Sequence, residues 1–338
     1  MDDLPETCFD SLCSNLDLSD LVHLSRTNKR SLQKVKMYSR IAFQPHRALQ
    51  NFFRASCVEE LLHVMSRTGT IISGRAALLF FTRDILMDCA LNLYTERHHA
   101  EEVFRFLSEH SYAYCARDGQ NDDLAQAFSD ASSVGNRILD IDHINNTVID
   151  TFSFNRSVPD NTVSTVIRVT VVRFCAIHTV LSFHTTALMN IITHRAAYSL
   201  YPRATFLHKV GISFVSSESE VSTDMRLGPE WTMRSSLTHL DLNKTAFGGE
   251  FATFWRYIGD SQTWTINFTE RRAQKRSKVP LPSLTRCSLT RGHSAGATET
   301  VPSGTLALTT ISTWVTRAGL KAVYSQASTS RLRSPTRY

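Results

Sequence analysis

Apolar residues in the first 43 positions recur at helical spacing in three short blocks. In the first, Phe9, Leu12 and Leu16 fall at i, i+3, i+7 behind Pro5, which suits a first helical turn because its missing N–H costs nothing there. The second takes Ser19 or Asp20 as its N-cap and Leu21 and Leu24 as its buried side. The third presents Leu32, Val35 and Tyr38. Pro45 resets the chain, and amphipathic helix is predicted on to Gly69. The stretch TIISGRAALLFF, residues 70–81, then reads as strand, glycine turn at Gly74 and helix over 75–83. An alternating strand at 89–95, a helix at 98–110 and two β-rich runs at 147–156 and 164–172 follow. Residues 181–202 read as a strand and then a helix, capped by Thr185 or Thr186 and ending before Pro202, and 264–268 as a last strand. Residues 113–146 are polar and carry no clear period.

Helices of this length are marginal alone in water, so the N-terminal trio must bury its apolar stripes on itself, on the rest of the chain or on a partner. With 338 residues and 42% hydrophobic content, the chain can build one sizeable core. No apolar run reaches the roughly 20 residues of a membrane span, and the N-terminus is acidic rather than basic and greasy. An intracellular protein, cytoplasmic or nuclear, is expected. Seven cysteines without a CxxC pair read as free thiols rather than a disulfide frame or a zinc site.

Charge changes the picture once it is divided. Residues 271–338 hold 12 Lys/Arg against one acid, a net of +11 within a chain total of +6, which leaves −5 on the first 270 residues. The body is therefore not a basic nucleic-acid surface. Any such role is left to the tail, whose composition of Ser, Thr, Arg, Gly and Pro reads as disordered. Its opening run at 271–278 suits a nuclear import signal, RNA binding or simply a solvated charge run.

Candidate chemistry is sparse. A phosphate loop would read GxxxxGK[ST] or GxGxxG, whereas Gly74 stands without companion glycines and is followed by Arg75. His98, His99, His178, His184 and His194 share no metal-ligand spacing and read as hydrogen-bonding or helix-end residues. Cys175 and His178 form a nucleophilic pair only if the fold brings them together, and Asp140 with Asp142 reads as a loop or helix cap. Tyr198, Tyr201, Phe206, Trp231, Trp255 and Trp264 line either a ligand cleft or the core, and core is the commoner fate.

The strand–Gly–helix at 70–83, followed by the alternating strand at 89–95, resembles the nucleotidyltransferase fold. More closely, the phrases TGTIISGRAALLFF, LNLYT, SFHTTALMNIITHRAAYSLYP and YIGDSQTWTI are similar to those of a family of fungal proteins in which an F-box-like N-terminus precedes such a domain. The resemblance spans roughly residues 4–268. It implies an α+β fold: short N-terminal helices, then a small mixed sheet with flanking helices. In a working nucleotidyltransferase a Gly-Ser turn opens the helix, and an Asp-x-Asp pair with a third carboxylate holds two metal ions. Here the turn serine is Arg75, the aspartate positions are Ala90 and Asn92, and the third strand offers Arg168 and Thr170. Asp88 and Asp84 do not restore the pattern. Two-metal chemistry needs carboxylates to bind hard cations, so no metal, no cofactor and no catalysis is expected.

The resemblance divides the chain into an F-box-like segment (1–45), a degenerate nucleotidyltransferase-like domain (46–270) and the basic tail (271–338). It implies docking of residues 4–43 on a Skp1-type adaptor of a cullin ubiquitin ligase while the rest captures a substrate protein. Its anchors would be Leu4, Pro5, Phe9, Leu12, Leu16, Leu21 and Leu24. The alternative is that the same leucines simply pad the start of the globular domain. A residual nucleotide-binding protein is the competing function. For the sheet, the expectation is that 70–73 is central, that Leu91 and Leu93 pack under helices, and that Ala90 and Asn92 face a cleft beside Gly74.

Overall fold

The computed structural model describes residues 4–84, 89–134, 147–156, 165–213, 227, 229–235, 258–260 and 262–268. Asp88, Asp140, Asp142, Trp255 and the tail 271–338, with the disorder expected of it, lie outside the described residues.

Three helices open the chain: α1 (Glu6–Asn15), α2 (Leu18–Thr27) and α3 (Lys29–Ala42). Pro5 is the N-cap of α1 rather than its first residue. The cap of α2 is Asp17, whose carboxylate accepts from the Asp20 N–H at 2.8 Å, so neither Ser19 nor Asp20 fills that role. Asn28 caps α3 in the same way. Helix α3 turns Ser31, Val35 and Tyr38 inward, and Leu32, about 100° round the axis from Ser31, is left exposed instead of buried. The helix expected after Pro45 lasts one turn, α4 (Pro45–Ala48). Irregular chain then buries Leu49, Phe52 and Phe53 before α5 (Ala55–Thr68) runs to Gly69, whose left-handed φ of 68° ends it.

The sheet has eight strands, more than the small one expected. They are β1 (Ile71–Ser73), β2 (Leu91–Glu96), β3 (Ala113–Cys115), β4 (Val148–Arg156), β5 (Thr165–Val172), β6 (Asn190–Ile192), β7 (Ala196–Ser199) and β10 (Trp264–Asn267). Their order is β10-β7-β6-β1-β2-β5-β4-β3, so β1 is central as expected. The β2–β5 pair is parallel and the remaining pairs antiparallel, which makes the sheet mixed and the fold α+β. A separate parallel pair joins β8 (Val210–Ser213) to β9 (Thr232–Ser235). Between the strands run α6 (Arg75–Thr82), α7 (Ala100–Glu109), α8 (Leu124–Val134) and α9 (Ala176–Leu181).

Register gives the sheet two unlike faces. One carries Ile72, Ile192, Leu91, Leu93, Ile167, Val169, Phe152 and Phe154, all 2% exposed or less. Phe104 of α7 and Phe128 of α8 lie against Phe152, so this face is the main core beneath helices. The N-terminal helices belong to the same core: Phe9, Leu21 and Tyr38 join Phe43 and Phe80 in one continuous cluster. Trp264 stands among Phe43, Phe81 and Phe206, with ring centroids 5.2–6.2 Å away.

One segment differs in kind from expectation. Residues 181–202 are not a strand and a long helix but the last residue of α9, a short 3-10 turn (Thr186–Leu188) and the β6–β7 hairpin. Thr185 does cap the turn, accepting from the Ala187 N–H, but the hairpin loop takes over at Thr193, which bonds the Ala196 carbonyl through both its N–H and its hydroxyl at 2.9 Å. Ile191 and Ile192 are both buried, so both faces of β6 are apolar, and period alone does not separate such a strand from a buried helix.

Candidate functional site

The site that the sequence singles out is the β1–α6 turn and what lies beside it. Gly74 has φ 75° and ψ −146°, a conformation that a side chain makes costly, and it caps α6 with Arg75 as the first helical residue. Arg75 is half-buried rather than fully solvated. The Ser73 hydroxyl, next to the turn, donates to the Asn190 carbonyl at 2.6 Å and so fastens β1 to β6.

Across the sheet's second face, register lines up Tyr198, Ile191, Ser73, Asn92, Arg168 and Ser153 in one row. The next row holds Ile71, Tyr94, Thr170 and Thr151. This face is largely polar, and Arg168 stands directly beside Asn92 on the parallel neighbour strand. Burial lowers the pKa of the Arg168 guanidinium from its ordinary value, with Tyr94 partly opposing the shift. Burial likewise pushes the Tyr94 phenol far above its ordinary range.

Ala90 and Asn92 do not open onto a cleft: each is 6% exposed. The ring of Phe183, just after α9, lies 5.6 Å from that of Tyr94 and closes this face over β2. The half-buried part of the face lies further along, at Arg168, Ser153 and Asn155. The two metal ions that the nucleotidyltransferase resemblance implies do not fit these residues. A methyl group, a neutral amide and a guanidinium stand where carboxylates would be needed.

Among the described residues no three His, Cys, Asp or Glu side chains converge so as to hold a metal ion. The rings of His98 and His99 lie with centroids 4.0 Å apart, tilted by 48°, and His98 lies 3.6 Å from Glu96, whose carboxyl is pushed up by burial. His178 and His194 are half-buried and held below the usual histidine range by burial. Cys175 is the N-cap of α9 with His178 one turn on. Tyr201 and Phe206 are core residues, and Trp231 is pinned by its indole N–H to the Thr205 carbonyl at 3.3 Å.

The seven anchors assigned to a partner divide sharply. Phe9 and Leu21 are buried in the chain's own core, and Leu12, Leu16 and Leu24 are partly buried against it. Leu4 and Pro5 are exposed. What the sequence reading missed is the outer side of α3, where Met37 and Ile41 are 50% and 57% exposed. Their i, i+4 spacing off the Val35–Tyr38 stripe was the available signal.

Compared with known proteins, the chain matches no family model, no curated protein and no solved structure. Among the described residues no helix is long and apolar enough to cross a membrane.

Proposed function

We propose that the chain is a non-catalytic protein-interaction module, its N-terminal helices an F-box-like unit that docks on a Skp1-type adaptor while the α+β body holds a substrate protein. One observation carries this reading. Of the five large hydrophobic side chains exposed among the described residues, four (Leu4, Leu32, Met37 and Ile41) belong to residues 4–43. Helices that already contribute Phe9, Leu21 and Tyr38 to the core have no need of outward apolar residues for their own folding. Neutral Ala90 and Asn92 beside cationic Arg168 agree with a body that does no metal-dependent transfer.

The test is reconstitution of the full chain with a Skp1-type adaptor. A stoichiometric complex, weakened at least tenfold by Leu4→Asp, is expected; absence of binding by the intact chain overturns the proposal. A second reading, residual nucleotide binding, draws on the Gly74 turn and the polar row Ser73–Asn92–Arg168–Ser153. Calorimetry with a nucleoside triphosphate and magnesium separates the two, because heat lost in Arg168→Ala belongs only to the second.

A further inference from the structure

Residues 26–47 contain seven Lys/Arg and no acid. Taking that +7 from the −5 of the first 270 residues leaves −12 on the other 248, so this segment is a cationic island on an acidic body. Most of it is α3. Arg30, Lys34, Met37 and Ile41 follow one another at spacings of 4, 3 and 4, which places them on one ridge of that helix. The ridge lies to one side of the buried Ser31–Val35–Tyr38 stripe, and Arg30, Met37 and Ile41 are exposed on it. Lys34 is fixed by donation to the Leu4 carbonyl at 3.2 Å and by the Phe9 ring 5.1 Å away, which holds exposed Leu4 beside the ridge.

We infer that this ridge of α3 is the docking surface for an acidic protein segment with apolar anchors, an amphipathic helix whose carboxylates meet Arg30 and Lys34 while its apolar side chains cover Met37 and Ile41. The inference rests on the reading of residues 4–43 as a partner-binding segment and names the chemistry of what binds there. Charge complementarity selects the occupant. The chain's own tail, at +11, is repelled by the ridge, and a second copy related by a two-fold axis sets cations against cations. A nucleic acid satisfies the cations but offers its phosphates nothing for Met37 and Ile41. A lipid surface needs a broad apolar face, and the inward stripe of α3 is already committed to the core.

The experiment uses the full-length protein and a fluorescent, helix-forming probe peptide with Glu and Leu on one face. A Lys/Leu counterpart, anionic vesicles and a duplex oligonucleotide serve as parallel probes. The Glu/Leu peptide is expected to bind, at least tenfold more weakly to Met37→Asp/Ile41→Asp and to Arg30→Glu/Lys34→Glu. The second variant should instead gain affinity for the Lys/Leu peptide. Arg105→Glu, an exposed charge reversal on α7, should change binding less than twofold, and circular dichroism confirms that each variant stays folded. No binding of the Glu/Leu peptide, indifference to both double variants, or tighter binding of vesicles or oligonucleotide overturns the inference. A Skp1-type adaptor that fails to bind while the peptide binds overturns only the adaptor assignment; an adaptor that binds regardless of the ridge variants overturns only the ridge.

Discussion

The Arg83 guanidinium donates to the Tyr38 hydroxyl at 2.5 Å, linking the end of α6 to the inner stripe of α3. The same side chain donates to the Cys13 carbonyl at 2.9 Å and to the Leu16 carbonyl, at the C-terminus of α1. A cation placed on the last carbonyls of a helix complements the helix dipole and adds a strong donor where the terminal turn supplies few, as at Cys13, whose carbonyl also accepts from the Leu16 N–H at 3.4 Å. One residue therefore ties two of the three N-terminal helices to the body.

Arg83→Ala is expected to cost about 2–4 kcal/mol, the scale of losing charge-assisted hydrogen bonds that are partly buried. The loss should appear first as faster amide exchange in α1 and α3. Arg83 also has φ 63°, a conformation that penalises a side chain by roughly 1–2 kcal/mol. Arg83→Gly should accordingly be less destabilised than Arg83→Ala. Equal melting temperatures for the two, with α1 and α3 still protected, would show that the guanidinium holds nothing.

Gly74 and Gly69 both have positive φ but differ in ψ, −146° against 10°. A left-handed helical residue is tolerated by side chains at modest cost, whereas the region that Gly74 occupies is nearly glycine's own, at about 1–3 kcal/mol for a side chain. A Cβ on Gly69 meets nothing within 4 Å, so the cost there is backbone strain alone. Gly74→Ala should therefore lower the melting temperature more than Gly69→Ala. The reverse order in thermal melts would sink this account of the turn.

Much of the fold was legible because local pattern and tertiary demand agree. The alternation of Leu91 and Leu93 with Asn92, the Val-rich run at 165–172 and the Gly69 and Gly74 punctuation each have one physical solution. What failed to read was decided by residues far apart in sequence. Period does not say whether Ile191 and Ile192 lie in a strand or a buried helix; their pairing with Ser73 and Ile72 does. Nor does local pattern place Arg168 beside Asn92, since that neighbourhood depends on a parallel pair joined across more than seventy residues. The polar residues of the candidate site were legible in the sequence, but not their accessibility, because Phe183, ninety residues away from Asn92, covers Tyr94.

The Asn92–Arg168 register can be tested by building acids into it. Ala90→Asp with Asn92→Asp places a carboxylate beside the Arg168 strand position, where the guanidinium neutralises it, and Mn2+ titration should give no heat. Adding Arg168→Asp removes the cation and supplies the third acid. That triple variant should be destabilised without metal, since buried carboxylates then repel one another, and its melting temperature should rise with Mn2+ by mass action on the folded state. A double variant that binds Mn2+ as well as the triple would place Arg168 away from position 92.

The last prediction concerns pH. Tyr112 is 2% exposed, its hydroxyl donates to the Phe52 carbonyl at 2.7 Å, and its ring meets Phe53 on one side and the Arg156 guanidinium, 4.7 Å away, on another. Burial pushes its phenol up to about 12, with the Arg156 charge and a hydrogen bond to Thr165 pulling it partly back. In the unfolded chain the phenol titrates at about 10. Below pH 10 both states hold the proton, and the contribution of the neutral, buried phenol to stability is fully present. Between pH 10 and 12 the unfolded chain sheds the proton while the folded chain keeps it, so stability falls as pH rises, by at most about 1.4 kcal/mol per pH unit for this one group. Tyr112→Phe removes the titration and costs roughly 1 kcal/mol at neutral pH through the lost hydrogen bond. Urea unfolding of both proteins between pH 8 and 11 checks it, in a range set by the unfolded value of about 10. The gap between them should narrow above pH 10, and a gap constant with pH would show that Tyr112 ionises equally in both states.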